Sequence, residues 1–327
     1  MKKITVTKEM SSQRLDKYLK RLLPSCSSGL LYKQLRKKNI TLNGSKADGH
    51  EIIKEGDSVE IFFSDETFEK FSSSETEDLT RYNKAYEKYK NSIEVVAFSE
   101  DLGFVVFNKP AGILSQSDKT GDMSINDYLI GFLFNNGYIT EESFKMSKPS
   151  ILNRLDRNTS GLIFCSMNLK GDRFFKAYNS SYSKNYLALV HGKFDREGVF
   201  EDYIKKDEQE NKVYFTDKDD PDALDIKTGF ELVKTNGKIS LVKVRLYTGR
   251  SHQIRAHLSH FGFPIIGDTK YGKKDKEFGV SRQLLHAYSM EPEEYGRFMN
   301  FNFKADLPKD MTDICIREFG PIEEYLK

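Results

Sequence analysis

Three cysteines in 327 residues are too few to build a disulfide framework, and Cys26, Cys165 and Cys315 lack the paired spacing of a metal site. Such isolated thiols are expected to stay reduced, in a reducing compartment. Also missing is any apolar run approaching the ~18 residues that a membrane helix needs. Lys2 and Lys3 near the amino terminus are not followed by the apolar segment of a secretory signal. Together these absences exclude a membrane-spanning helix and an exported chain, so a cytoplasmic protein is expected. Net charge is nearly absent as well, +2 from 51 basic and 49 acidic residues, and by itself it selects no partner. What is present, 38% hydrophobic and 31% charged residues, suits a folded chain with a substantial core. The length exceeds one typical domain, which predicts two units and a linker.

Charge is unevenly spread. Residues 1–63 hold 13 Lys and Arg against 7 Asp and Glu, whereas residues 64–91 hold 5 against 7. A basic amino-terminal unit on a near-neutral chain points to a polyanion. Within it, residues 11–23 read as a helix capped by Ser11 or Ser12, with Leu15, Leu19 and Leu22 on one stripe. A second helix opens at Ser27 or Ser28, turns Leu31 and Leu35 inward and carries Lys33, Arg36 and Lys37 outside. Ile40 to Gly44 form a strand running into an Asn-Gly turn, and Val59, Ile61 and Phe63 alternate as a closing strand. Residues 64–91, with Ser72-Ser73-Ser74-Glu75, read as a linker that enters a short polar helix.

The larger unit, 92–327, shows strand-like runs at Ile93–Ala97, Phe104–Phe107, Leu162–Cys165, Tyr186–Val190 and Leu241–Thr248. Helical patterns at 124–135, 168–180 and 251–261 are interspersed, which predicts an α+β fold with a mostly antiparallel sheet. Its most informative stretch runs from Leu152 to Leu162, where Asp156 stands between Arg154 and Arg157 ahead of Thr159-Ser160-Gly161. An aspartate flanked by guanidinium groups stays ionised, which suits a nucleophile or base and not a general acid. Composition alone favours an ordinary surface ion pair at such a place. Arg255 falls on a predicted helix whose Ile254, Leu258 and Phe261 form the buried stripe. Arg255, Ser251, His252 and Ser259 then lie near another face.

Two resemblances sharpen this. Arg14-Leu15-Asp16-Lys17-Tyr18-Leu19, the basic second helix, Ile40 to Gly44 and Glu55-Gly56-Asp57 make residues 12–63 similar to the small α/β RNA-binding domain named after ribosomal protein S-four. Lys33, Arg36 and Lys37 would then contact RNA phosphates, each released counterion adding salt-dependent affinity. The ordered series Asn108-Lys109-Pro110, Arg154-Leu155-Asp156 with Thr159-Ser160-Gly161, Lys184-Asn185-Tyr186 and Thr248-Gly249-Arg250-Ser251-His252-Gln253-Ile254-Arg255, closed by Gly267-Asp268 and Leu284-Leu285-His286-Ala287, resembles the RluA-type pseudouridine synthases over residues 93–305.

The second resemblance implies the chemistry. Asp156 matches the aspartate that attacks the flipped uridine, Tyr186 the tyrosine packed on the uracil, and Arg255 the arginine paired with the aspartate. Ala256 matches an apolar base-contact position, and Arg154 the arginine that enters the space of the extruded base. No cofactor and no metal is implied, because the uracil leaves, rotates and rejoins without net redox change. A duplexed uridine must first be taken out of its stack. The RNA-binding domain implies ribosomal RNA of the large subunit, with transfer RNA as the nearer alternative and a monomer as the default.

Two departures stand out. Asn153 occupies a place where the family commonly has His, so altered local hydrogen bonding is expected. Asp225-Ile226-Lys227-Thr228 differs from the basic and small residues common before that Thr. Asn153 is the one support for a different class of function, a non-catalytic RNA-binding or ribosome-assembly factor. Asn108-Lys109-Pro110 reads as a strand-ending turn. His252, His257, His260 and His286 lack the accompanying carboxylate or Cys pattern of a metal site and read as structural histidines.

Overall fold

A computed structural model describes residues 1–7, 10–72, 79–118, 120–272, 277–293 and 301–326. The first unit is built on strands Lys2–Thr5, Ser58–Ile61, Ile40–Leu42 and Ser45–Lys46, paired antiparallel in that order. Alternation in Ser58–Ile61 sends Val59 and Ile61 inward, where Leu15, Leu19, Leu31 and Leu35 of the two helices meet them. Asn43 (φ +51°) and Gly44 (φ +72°) make the left-handed turn expected of that dipeptide. The second helix, Ser28–Arg36, is capped as anticipated, Ser27 Oγ accepting from Leu30 N at 3.4 Å. The first differs. It spans Leu15–Leu22 with Arg14 as its cap, because Gln13 and Arg14 instead pair as a short strand with Ile52 and Ile53.

The polar stretch 64–91 contains helices Asp65–Ser72 and Thr80–Tyr89; Ser73-Ser74-Glu75 lies outside the described residues. The first places Phe68 and Phe71 against the core of the small unit. The second sends Arg81 onto Asp127 at 3.0 Å, at the capped end of helix Ile125–Asn135.

Everything beyond gathers on one sheet of eleven strands. Its central pair, Ser160–Ser166 and Leu285–Pro292, runs parallel, while the other strand pairs recorded are antiparallel. Period-two alternation sorts the core. Val105 and Phe107 face helix Ile125–Asn135 on one side, while Phe104 and Val106 face Phe174 of helix Leu169–Tyr178 on the other. Helices Gln253–His260 and Lys309–Phe319 bury Ile254, Leu258, Met311 and Ile314 against Leu187, Leu189, Val242 and Val244 further along. The central parallel pair is so close at Gly161 (φ +113°) that a Cβ there would stand 2.2 Å from the Ala287 carbonyl oxygen. Hairpin Gly198–Asp207 with Lys212–Phe215, and strand Leu224–Thr235, extend the sheet beyond what the periodicity disclosed. Among the described residues no helix is long and apolar enough to cross a membrane.

Candidate active site

Asp156 lies on the irregular loop between strand Ser150–Ile151 and strand Ser160–Ser166. Loops of this kind expose backbone polar groups, and a buried one must find partners for them. Here the partners are close at hand. Ser115 Oγ donates to the Leu155 carbonyl at 2.7 Å and accepts the Leu155 N–H at 3.0 Å. The Arg157 carbonyl accepts from Gly112 N at 2.8 Å and from Lys109 Nζ at 3.1 Å. Arg282 Nη1 donates to the Asn158 carbonyl, and Gln283 Nε2 to Thr159 Oγ1, both at 3.2 Å. Asn153 extends the ladder of the following strand, donating to the Leu162 carbonyl at 3.1 Å and accepting from Phe164 N at 2.7 Å. The expected change of hydrogen bonding at this position is thus a side chain standing in for a strand neighbour.

The carboxylate itself is held from one side. Arg255 Nη1 donates to Asp156 Oδ2 at 2.7 Å, while its Nε and Nη2 grip both oxygens of Asp268 at 2.7 and 2.9 Å. Burial works against the charges of Arg255 and Asp268. Their pairing overcomes it, raising the arginine's pKa and holding the aspartate below the ordinary carboxylate range. The Lys270 and Tyr271 amides also donate to Asp268, so the second carboxylate is fully engaged and fixes the guanidinium plane. Asp156 is the more accessible partner, its side chain 27% exposed against 0% for Asp268.

Tyr186 reaches the same place from strand Tyr182–His191, at a register shift against the Ala287 strand. Burial, and then the neighbouring Asp156 charge, push its hydroxyl well above the usual tyrosine value. Asp156, Tyr186, Arg255 and Arg154 all line one cleft of about 1140 Å3, together with Ile254, Leu285, Lys184, Arg250 and His252. The cleft combines a carboxylate paired with an arginine, an aromatic and apolar floor and a basic rim, which suits a planar base attached to a phosphate backbone.

The RNA pseudouridylate synthase family model matches residues 103–260, and the S4 domain model matches residues 13–59. A ribosomal large subunit pseudouridine synthase C of Rickettsia typhi is 31% identical over 90% of this chain and 94% of its own length. An uncharacterized RNA pseudouridine synthase of Mycoplasma genitalium is 30% identical over 88% of each chain. This chain belongs to the RNA pseudouridine synthase family. A ribosomal large subunit pseudouridine synthase D of Borreliella burgdorferi, 32% identical over 67% of each chain, agrees with the RluA-type resemblance of the motifs. The human RNA pseudouridylate synthase domain containing 4 shares the fold, with a TM-score of 0.57 at 19% identity, over 73% of this chain and 97% of that one.

One anticipated contact of the synthase is not brought to the cleft. Ala256 is buried with Ile204, Val213 and Ile226, because one residue along a helix is a rotation of about 100° and carries it off the Arg255 face. Ile254 and Leu285 supply the apolar lining instead. Lys33, Arg36 and Lys37 are exposed at the end of the second helix of the small unit, outside the cleft lining.

Sequence reasoning missed the fork from Arg255 to Asp268, although Gly267-Asp268 was part of the motif series. It also missed how deeply Lys109 is used. That ammonium is buried, and it donates to the Pro110, Ile113 and Arg157 carbonyls at 3.0 to 3.1 Å, clamping two loops together. Burial pushes its pKa down to about 7, against the upward pull of Asp156. Among the histidines, His257 bonds Asp202 and Thr228, and His286 bonds Ser160 and the Ala305 carbonyl. His260 stacks on Phe215 at 3.8 Å, whereas His252 faces the cleft.

Proposed function

We propose that this synthase isomerises specific uridines of large-subunit ribosomal RNA, with Asp156 as the reacting carboxylate. The single observation that carries the reading is Asp156 gripped by Arg255 beside Tyr186 in a cleft able to take an everted base. In this reaction the C1′–N1 bond breaks and a C1′–C5 bond forms; C5 loses a proton and N1 gains one. Asp156, held by Arg255, acts on the nucleotide. Tyr186 packs on the uracil. Arg154, exposed on the cleft rim, fills the gap left in the RNA stack. Lys33, Arg36 and Lys37 hold the RNA backbone, which costs no specificity and adds salt-dependent affinity.

Ribosomal RNA is supported by two relatives that are ribosomal large subunit pseudouridine synthases by name and by the S4 match. The enzyme is placed in the cytoplasm and acts as a monomer. Mapping pseudouridines in RNA from a deletion strain tests the substrate. Sites should vanish from large-subunit ribosomal RNA, and loss confined to transfer RNA would reassign it. Asp156→Asn tests the site: the variant should fold and bind RNA yet form no pseudouridine. Normal turnover by that variant would remove Asp156 from the chemistry.

A further inference from the structure

His252 was expected to be a structural histidine, but its surroundings give it a defined donor. It caps helix Gln253–His260 in a left-handed conformation, φ +54°, that non-glycine residues adopt rarely, and its side chain is 11% exposed. Backbone strain of that kind survives where the surrounding structure enforces it. The imidazole is held by Tyr271, whose hydroxyl oxygen lies 3.0 Å from His252 Nδ1 and accepts the Val213 N–H at 2.8 Å. Its own proton then has one acceptor in reach among the described residues, the His252 Nδ1 lone pair. A neutral imidazole accepting at Nδ1 must carry its proton on Nε2. That Nε2 faces Asp156 Oδ1 across 3.9 Å, too far for a hydrogen bond and on the oxygen that Arg255 does not hold.

Neutrality is the state the surroundings favour. Burial lowers the His252 pKa and Asp156 raises it, while Arg255 and Lys270 lower it and Asp268 raises it. The balance falls below the ordinary histidine value, so the ring stays an uncharged donor near neutral pH.

We propose that His252 is a catalytic residue whose Nε2–H donates to a carbonyl oxygen of the everted uracil, and that Tyr271 is a positioning residue that fixes the imidazole tautomer. When the C1′–N1 bond breaks, its electron pair leaves with the uracil and spreads onto the ring carbonyl oxygens. The pair is returned when C5 bonds to C1′. A preorganised donor beside those oxygens lowers the barrier to departure without giving up its proton, and one such donor is typically worth 10²–10³ in rate. The inference rests on the Asp156 reading above.

The test is single-turnover pseudouridine formation, with RNA Kd measured separately by fluorescence anisotropy. His252→Ala should lower the single-turnover rate about 100-fold or more at saturating enzyme, with Kd within about twofold. His252→Gln, which keeps an N–H donor, should recover part of the loss. Tyr271→Phe keeps the packing but removes the proton given to Nδ1. Its rate should fall, and the His252 imidazole nitrogen shifts should move toward the Nδ1–H tautomer. A wild-type rate in His252→Ala, with or without weaker RNA binding, overturns the inference. If His252→Ala does not fold, unchanged nitrogen shifts and rate in Tyr271→Phe overturn it instead. Asp156→Asn run beside them keeps the two failures apart. An inactive Asp156→Asn with a fast His252→Ala sinks this inference alone, whereas an active Asp156→Asn sinks the site reading itself.

Discussion

Asp268→Asn separates what Arg255 does for the fold from the part in the chemistry proposed for it. Asp268 is 1% exposed, and of the three bonds from the Arg255 guanidinium it takes two, at 2.7 and 2.9 Å. Oδ1 also accepts two backbone amides, so an Asn carbonyl settles there and its amino group faces Arg255 Nε, donor against donor. One charge-assisted bond of about 1.5–3 kcal/mol is lost, the Nη2 bond is weakened to a neutral acceptor, and a buried charge is left half-paired, which together give a loss of about 3–5 kcal/mol. Asp156→Asn removes the more exposed charge and leaves the Arg255–Asp268 fork intact, so its stability cost should be about 1 kcal/mol. Urea unfolding followed by circular dichroism gives both numbers, and single-turnover assays give the rates. Because the Asp268 pKa is held below its unfolded value, its contribution is complete above pH about 5 and fades only as pH falls below about 4. The difference between wild type and Asp268→Asn should therefore be flat from pH 8 to about 5 and shrink below. If Asp268→Asn is as stable as wild type, or Asp156→Asn is the more damaging of the two, the fork is not what holds Arg255.

Three further outcomes follow from other parts of the molecule. Replacing Lys33, Arg36 and Lys37 with Gln, all exposed, should leave thermal unfolding unchanged and reduce the slope of log K against log salt by about 2; an unchanged slope would take this helix out of the RNA interface. His257 and His286 are both pushed down by burial to about 4, so the unfolded chain takes up protons at these sites before the folded one. Unfolding free energy should accordingly fall as pH drops from about 6.5 toward 4, and a flat profile in urea titrations there would contradict their burial as neutral rings. Asn153→Ala strips a partner from both the Leu162 carbonyl and the Phe164 amide, which should cost about 1–3 kcal/mol in the same urea assay; no measurable loss would show that solvent replaces it.

Local signals in the sequence were read well where one interaction range decides the structure. Strands such as Phe104–Lys109 and Ser160–Ser166 emerged because a short continuous apolar run, bounded by turn residues, is a local signal. Helix Ile125–Asn135 carries a capping box at Ser124 and Asp127, which is likewise local. The edge hairpin Gly198–Asp207 with Lys212–Phe215 was missed because its faces are mostly half-exposed and carry Lys, Asp and Glu, so its burial pattern is faint. Helix Gln253–His260 began two residues later than its apolar stripe suggested, since left-handed His252 has no sequence signature of its own. Within the site, the ordered motifs named Asp156, Tyr186 and Arg255, but not what fixes them. Asp268 lies 13 residues from Arg255, and Ser115 lies 40 residues from Leu155. Such partners become neighbours only through the sheet, which no periodicity reports. Ala256 failed for the opposite reason, a motif position being assigned a contact that the helix rotation carries to the far side.

The distribution of buried charge in the synthase follows from the chemistry it has to perform. The role proposed for Asp156 requires its carboxylate to be held where the sugar and base will be. A loop is a poor support for that unless its backbone is over-determined. Here Ser115, Lys109, Gly112, Arg282 and Gln283 each hold one residue of the Leu155–Thr159 segment. Lys109 ends the strand that pairs with Ser160–Ser166, and Arg282 lies just ahead of that strand's parallel partner, Leu285–Pro292, so the loop is held from both. Burying the Lys109 ammonium is unfavourable on its own, and three carbonyl acceptors offset the loss of water. The result leaves one oxygen of Asp156 bound to Arg255 and the other free of it on the cleft side, as the reacting role proposed for this carboxylate requires.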